Sequence, residues 1–295
     1  MDMSKLQHRM NTLQLRDWQK KAVNEWLARE KNERGIWNGT IAAVTGAGKT
    51  RAAIAIVYQW LAYRKDNLWR VIITVPTKRL LNQWYDVMRE WGFDNVGRFG
   101  GGYKNRDAKV IVTTANSARK LRNSTPGTLL IVDECHRFAT KSNSSIFTNI
   151  KHEGILGLSA TPDRMDGKDI LTYTGPVVYS MTYAEALAEK CIPAFTIRTV
   201  QVGLSGMETW QYEDLTESIR KIGFMLKNEY GDIDPFKVSE SLDDRIGIFK
   251  NLCIQRKRIM NSAEARFNCV EWLVEQHYGQ KMSIFHESVN EIERL

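Results

Sequence analysis

The chain has 295 residues, 43% hydrophobic and 26% charged, the make-up of an ordinary globular protein, and its length points to about two domains rather than one small core. Lys and Arg exceed Asp and Glu by 42 to 34, a formal charge of +8, which fits a polyanionic partner without requiring one. Cys135, Cys191, Cys253 and Cys269 form no C-x-x-C pair, no run of apolar residues is long enough to span a bilayer, and the opening Met1-Asp2-Met3-Ser4 lacks an apolar leader; disulfides, zinc sites, secretion and membrane spanning are all set aside, and a cytoplasmic protein is expected.

Residues 5–31 carry a helical pattern through Leu13, Leu15, Trp18, Ala22, Val23, Trp26 and Leu27. Within it, Leu15-Arg16-Asp17-Trp18-Gln19 offers a Gln amide, both donor and acceptor, suited to an adenine edge; an exposed polar helix start is the alternative. After a turn-rich connector at 32–40, Ile41–Val44 runs into Thr45-Gly46-Ala47-Gly48-Lys49-Thr50. A glycine turn opening a helix cradles phosphate oxygens on its backbone N–H groups. Gly46 and Gly48 allow the approach, Lys49 reaches the charge, and Thr50 offers a hydroxyl to Mg²⁺. The full phosphate-loop pattern asks for Gly six residues before the Lys, where Ala43 stands.

A helix is expected over 51–64 and a strand over Arg70–Val75, ended by Pro76. Thr77-Lys78-Arg79 then opens another helix, with Thr77 as its N-cap. That basic helix start is either a contact for a nucleic-acid backbone or a cap with two solvated cations. Gly100-Gly101-Gly102, between Arg98 and Lys104, is a second backbone-contact candidate or a plain turn. Lys109–Thr114 reads as a strand delivering Thr113 and Thr114 to the same edge, and Ala115–Leu121 as helix. Leu129-Leu130-Ile131-Val132 is a buried strand ending in Asp133-Glu134-Cys135-His136. An Asp there would meet Mg²⁺ and the adjacent Glu would activate water, as phosphoryl transfer to water requires. Gly154–Leu158 is a short strand closing in Ser159-Ala160-Thr161-Pro162. Those hydroxyls would hydrogen-bond the acids, or they form an ordinary turn before proline.

Together the segments LRDWQ (15–19), TGAGKT (45–50), VPTKRLLNQW (75–84), VTTANSA (112–118), IVDECH (131–136) and GLSATP (157–162) resemble the superfamily 2 helicases and translocases. The likeness is greatest to the XPB-like group and its prokaryotic and phage relatives, through LRxxQ, VPTxxLLxQW and GLSATPDRMDGKD. The resemblance implies an α/β, RecA-like P-loop fold with a parallel central sheet and the cofactors ATP and Mg²⁺. It implies that Arg16 and Gln19 read adenine, that Thr45 to Thr50 hold the phosphates and the metal, and that Lys49, Asp133, Glu134 and His136 are catalytic. It places nucleic acid at Thr77, Lys78, Arg79, Gly101, Thr113 and Thr114, and coupling at Ser159, Thr161 and Arg164. Arg164-Met165-Asp166 stands where the XPB-like group carries Arg-Glu-Asp, so the duplex-splitting role of that triplet is not carried over.

The expected organisation is a RecA-like domain at 1–202 that leaves through a strand at Ala194–Val202, a helical connector or thumb-like insertion at 203–278, and at 279–295 the start of a second RecA-like domain, with Lys281–His286 as its first strand. An arginine finger would come later in such a domain and is worth about 10³–10⁵ in rate. The resemblance therefore implies the motor half of an ATP-dependent DNA helicase or translocase, weak alone, completed by a second chain or a further length of protein. An RNA helicase, a restriction-type translocase motor and a non-catalytic ATP-dependent clamp are the alternatives.

Overall fold

The computed structural model describes residues 9–10, 12–64, 68–140, 142–161, 169–286 and 288–293. Arg164, with Met165 and Asp166, lies outside them. The chain divides into two compact units, Met1–Phe195 and Thr196–Leu295.

The first unit is built on eight strands: β1 (Trp37–Ala43), β2 (Arg70–Val75), β3 (Val96–Gly100), β4 (Tyr103–Lys104), β5 (Val110–Thr114), β6 (Thr128–Asp133), β7 (Gly154–Ser159) and β8 (Val177–Met181). Their order across the sheet is β4-β3-β5-β2-β6-β7-β1-β8, and every pairing is parallel except β3 with β4. The longer helices are α1 (Asp17–Leu27), α2 (Lys49–Ala62) and α3 (Lys78–Glu90), with the shorter α4 (Tyr183–Ala188) after β8.

Apolar runs without polar interruption are what a parallel sheet covered on both faces needs, and the period of two sorts their side chains. Val71, Ile73, Val110, Val112, Leu129, Ile131, Leu156 and Leu158 join one core with Trp18, Trp26, Trp60 and Trp84 from α1, α2 and α3. Ile72, Ile111, Leu130, Val132 and Ile155 join a second, with Phe138, Ile146 and Ile150. Each such fully buried aliphatic side chain contributes roughly 1.5–3 kcal/mol. Because consecutive parallel strands each leave the sheet at one edge, the loops after β1, β2, β5, β6 and β7 gather there, where ligands of open α/β sheets bind.

The second unit is helical: α5 (Gly206–Tyr230), α6 (Asp244–Asn261) and α7 (Glu264–Gln276). A capping box starts α5, with Ser205 Oγ accepting from Glu208 N and Glu208 Oε2 accepting from Ser205 N. Arg245 pairs with Asp243 and Glu229 near the junction of α5 and α6, and Ile219, Leu226 and Ile246 are buried. Among the described residues no helix is long and apolar enough to cross a membrane.

Several expectations need correction. The helix expected over 5–31 contains α1, but residues 13–16 are non-helical: Arg16 is the extended N-cap of α1, its backbone N–H donating to Gln19 Oε1 at 2.9 Å. Ala194–Val202 and Lys281–His286 are not strands. Both have alternating apolar residues but no ladder partner, and most of their side chains are exposed. Three strands were passed over: β3, whose glycines broke the pattern, the two-residue β4 that pairs it antiparallel, and β8, which pairs β1 at the rim of the sheet.

Candidate nucleotide and nucleic-acid site

The turn between β1 and α2 takes its shape from two glycines, Gly46 at φ 84° and Gly48 at φ 104°. Both lie in the left-handed region that disfavours side chains. A Cβ on Gly48 would also stand 2.8 Å from Gln19 Nε2. Ala43 needs no such freedom. It is the last residue of β1, buried, and among the described residues only Glu134 and Lys190 are non-glycine with positive φ. The departure from the full glycine pattern therefore costs the loop no strain. Thr45 and Gly46 are exposed, Ala47 is buried, and Gly48 and Thr50 are half-buried at the start of α2.

Lys49 is 8% exposed. Its Nζ donates to Ala43 O at 2.7 Å, and Val44 O lies 3.5 Å away. Burial lowers its pKa, and the fields of Glu134 and Asp133 oppose that shift. The residues at 49 and 133, far apart in the chain, therefore share one electrostatic environment. The register explains why: β7 lies between β1 and β6, pairing Ala42 with Ser159 on one side and Asp133 with Leu158 on the other.

Asp133 closes β6 and is also 8% exposed. Burial raises its pKa and Glu134 adds to the rise, against the hydrogen bond from Trp84, the Lys49 charge and the bond from Glu134 N. Trp84 Nε1 donates to Asp133 Oδ2 at 2.8 Å, and Glu134 N donates to Oδ1 at 3.0 Å. Glu134 itself is left-handed, φ 50°, which breaks the strand and turns the chain into a short 3₁₀ helix at Cys135–Phe138. Its Oε2 lies 3.5 Å from His136 Nδ1. The same ring nitrogen is 2.9 Å from Ser159 Oγ, which accepts from Thr161 N at 3.0 Å. Glu134, His136, Ser159 and Thr161 thus form one chain of polar contacts. Cys135 is buried, and burial beside Glu134 and Asp133 pushes its thiol pKa to about 12, so it is no nucleophile.

Gln19 and Arg16 reach the same loop. Gln19 Nε2 donates to Gly48 O at 2.9 Å, while Arg16 Nη1 donates to Ala47 O at 3.4 Å and Cys191 O at 3.3 Å. Gln19 is only 1% exposed. One N–H and one lone pair of its amide stay uncommitted by these bonds.

The second group of residues collects at the ends of β2, β3 and β5. Thr77 caps α3 by accepting from Leu80 N at 3.3 Å, and Thr77, Lys78 and Arg79 are exposed. Gly101, φ 61°, lies against α3: its Cβ would sit 3.0 Å from Lys78 Cγ. Lys78 Nζ and the Arg98 guanidinium both lie over the Tyr103 ring, at 5.8 and 3.7 Å from its centroid. Thr114 is half-buried, with its Oγ1 3.4 Å from Ser117 Oγ. Thr113 does not belong to this surface. It is fully buried, its hydroxyl turned to Thr114 O at 3.3 Å, and the alternation along β5 puts it on the face of Ile111, opposite Thr114.

Among the described residues no three His, Cys, Asp or Glu are grouped to hold a metal by themselves. Mg²⁺ asks for less: one or two carboxylates, water and phosphate oxygens. The Thr50 hydroxyl and the carboxylate of Asp133, an all-oxygen set, fit that ion. Sequence reasoning missed Trp84 and the carbonyl of Cys191; only the tryptophan had a signal, as the last residue of VPTKRLLNQW.

A family model described as "Type III restriction enzyme, res subunit" matches residues 12–164. The chain is 34% identical over 215 residues to the "DNA 3'-5' translocase XPB2" of Sulfurisphaera tokodaii, covering 70% of this chain and 45% of that protein. It is 35% identical over 135 residues to a "Putative ATP-dependent RNA helicase QP509L" of African swine fever virus, covering 42% of this chain and 25% of that one. The chain thus spans less than half the length of these curated relatives. Among solved structures, a nuclease-deletion mutant of the Type ISP restriction-modification enzyme LlaGI in complex with a DNA substrate mimic aligns with 95% of this chain and 32% of its own, at 14% identity and a TM-score of 0.45.

Proposed function

We propose a function for this chain from its membership of a family: it belongs to the type III restriction enzyme res subunit family, and its first unit is read as the ATP-binding motor half of a DNA helicase or translocase. The observation that carries this reading is the convergence of the glycine turn and the acidic strand end at one edge of the sheet, where β7 pairs Ala42 of β1 through Ser159 and Asp133 of β6 through Leu158.

The loop N–H groups of 46–50 and the start of α2 bind the triphosphate. Lys49 leaves its carbonyl partners to meet phosphate oxygens, a stronger contact because the acceptor is then charged as well as the donor. Thr50 and Asp133 hold Mg²⁺, which supplies charge neutralisation at the phosphates. Glu134 orients the attacking water and takes its proton at Oε. The contact of His136 with Ser159 and of Ser159 with Thr161 passes the state of that site to the segment beyond β7. Arg16 and Gln19 frame the base, with Gln19 using its uncommitted N–H and lone pair. Nucleic acid lies across Thr77, Lys78, Arg79, Gly101 and Thr114, held by its phosphates. Full turnover requires a second RecA-like domain to complete the site, and the protein works in the cytoplasm. The LRxxQ and DECH forms favour DNA over RNA.

ATP hydrolysis measured with no nucleic acid, with DNA and with RNA, on this chain and on a form joined to a second RecA-like domain, tests the reading. DNA is expected to stimulate turnover most, and Glu134→Gln to abolish the stimulated rate while ATP binding persists. Equal rates for Glu134→Gln and wild type in the joined form would reject it.

A further inference from the structure

The indole of Trp84 joins the acidic strand end to the helix that carries the exposed basic residues. With Trp84 Nε1 on Oδ2 and Glu134 N on Oδ1, each oxygen of Asp133 has one fixed donor and keeps a second lone pair for a ligand. The carboxylate plane is set by these two bonds. Trp84 is 2% exposed and belongs to the core between α3 and the sheet. At about 1.5 Å rise per residue, it stands roughly two turns along α3 from Thr77-Lys78-Arg79. No loop intervenes, so a displacement of the exposed first turn carries the indole with it, and an N–H···O bond weakens steeply as its angle opens.

We propose that Trp84 is a positioning residue: it orients the Asp133 carboxylate, and through α3 it makes that orientation depend on whether a nucleic-acid backbone occupies Thr77, Lys78 and Arg79. The inference rests on the function proposed above. In that scheme α3 is both the floor of the nucleic-acid surface and the arm that holds the metal-binding carboxylate, so occupancy of one is felt at the other without any motion of a second domain.

The test uses the full chain, a fluorescent ATP analogue and a short single-stranded oligodeoxynucleotide. The Mg²⁺ concentration that half-saturates analogue binding is measured with and without the oligonucleotide. In wild type the oligonucleotide should lower that half-point severalfold. Trp84→Phe, which keeps a ring but loses the N–H, should raise the half-point about tenfold, the scale of one buried hydrogen bond to a charged group, and cancel the effect of the oligonucleotide. Analogue binding in EDTA should stay within twofold of wild type. Trp84→His, which retains a ring N–H, should recover part of the loss. A half-point unchanged in Trp84→Phe, or a uniform loss of affinity that EDTA does not remove, would overturn the inference while leaving the proposed function standing. A wild-type chain that binds neither analogue nor oligonucleotide would end both. Should the variants fail to fold, the ¹⁵N-indole spectrum of the wild type decides: the Trp84 signal must shift on adding Mg²⁺ to the ATP-loaded chain and on adding oligonucleotide alone. A stationary signal would refute it.

Discussion

His136 Nδ1 lies 2.9 Å from Ser159 Oγ, linking the turn after β6 to the last residue of β7. Ser159 is fully buried and its oxygen also accepts from Thr161 N at 3.0 Å, so one hydroxyl serves two elements. Ser159→Ala should leave both partners without it and lower DNA-stimulated ATP turnover by about tenfold, on the scale of one to two buried hydrogen bonds. ATP affinity should change less than twofold. Steady-state kinetics with a separate binding titration separates the two effects.

Gly48 is required twice over, by φ 104° and by Gln19 Nε2 at 2.8 Å from the position of a Cβ. Gly48→Ala is expected to destabilise the fold by about 1–2 kcal/mol, the cost of a left-handed non-glycine residue, and to weaken ATP binding more than tenfold by displacing the turn. Urea unfolding read beside ATP titration checks both, and full retention of affinity would contradict this account of the loop.

Asp133 makes stability depend on pH. Burial holds its folded pKa above the usual 3.8, so the folded state keeps this proton to higher pH than the unfolded chain does. Its contribution is therefore fully present below 3.8 and is lost as pH rises through the folded value. At pH 7 the buried charge costs stability, and Asp133→Asn should raise the melting temperature of the nucleotide-free protein. The gain should shrink as pH falls toward 3.8. Thermal unfolding across pH 4–8 measures it, and a gain independent of pH would show that charge burial is not the cause.

The exposed cations at the start of α3 should act through phosphates. Lys78→Ala and Arg79→Ala are each expected to weaken binding of oligonucleotides of any sequence to a similar degree and to reduce the slope of log affinity against log salt by about 1. Thr113→Val, by contrast, should leave that slope unchanged, because Thr113 is fully buried.

What could be read in the residues was set by how local the signal is. The run Leu129–Val132 before Asp133-Glu134, and the glycine turn before Lys49-Thr50, each carry their own apolar pattern and their own stop, so strand, turn and position at the sheet edge followed directly. A motif gives a position along a strand but not which face a side chain takes: Thr113 is fully buried and Thr114 half-buried. Ala194–Val202 and Lys281–His286 look like strands in isolation, yet a strand exists only with a neighbour to bond, and that is a tertiary fact. Trp84 with Asp133, and Gln19 with Gly48, are partners 49 and 29 residues apart. No spacing rule reaches across that distance.

The central claim is that Lys49 and Asp133 hold one Mg²⁺-bound triphosphate. A double-mutant cycle by calorimetry with ATP at saturating Mg²⁺, using Lys49→Ala, Asp133→Ala and the pair, tests it most directly. The account predicts that each single substitution weakens binding at least tenfold and that the double variant loses clearly less than the sum of the two. Single variants that bind ATP as wild type does, or losses that add in full, would contradict it.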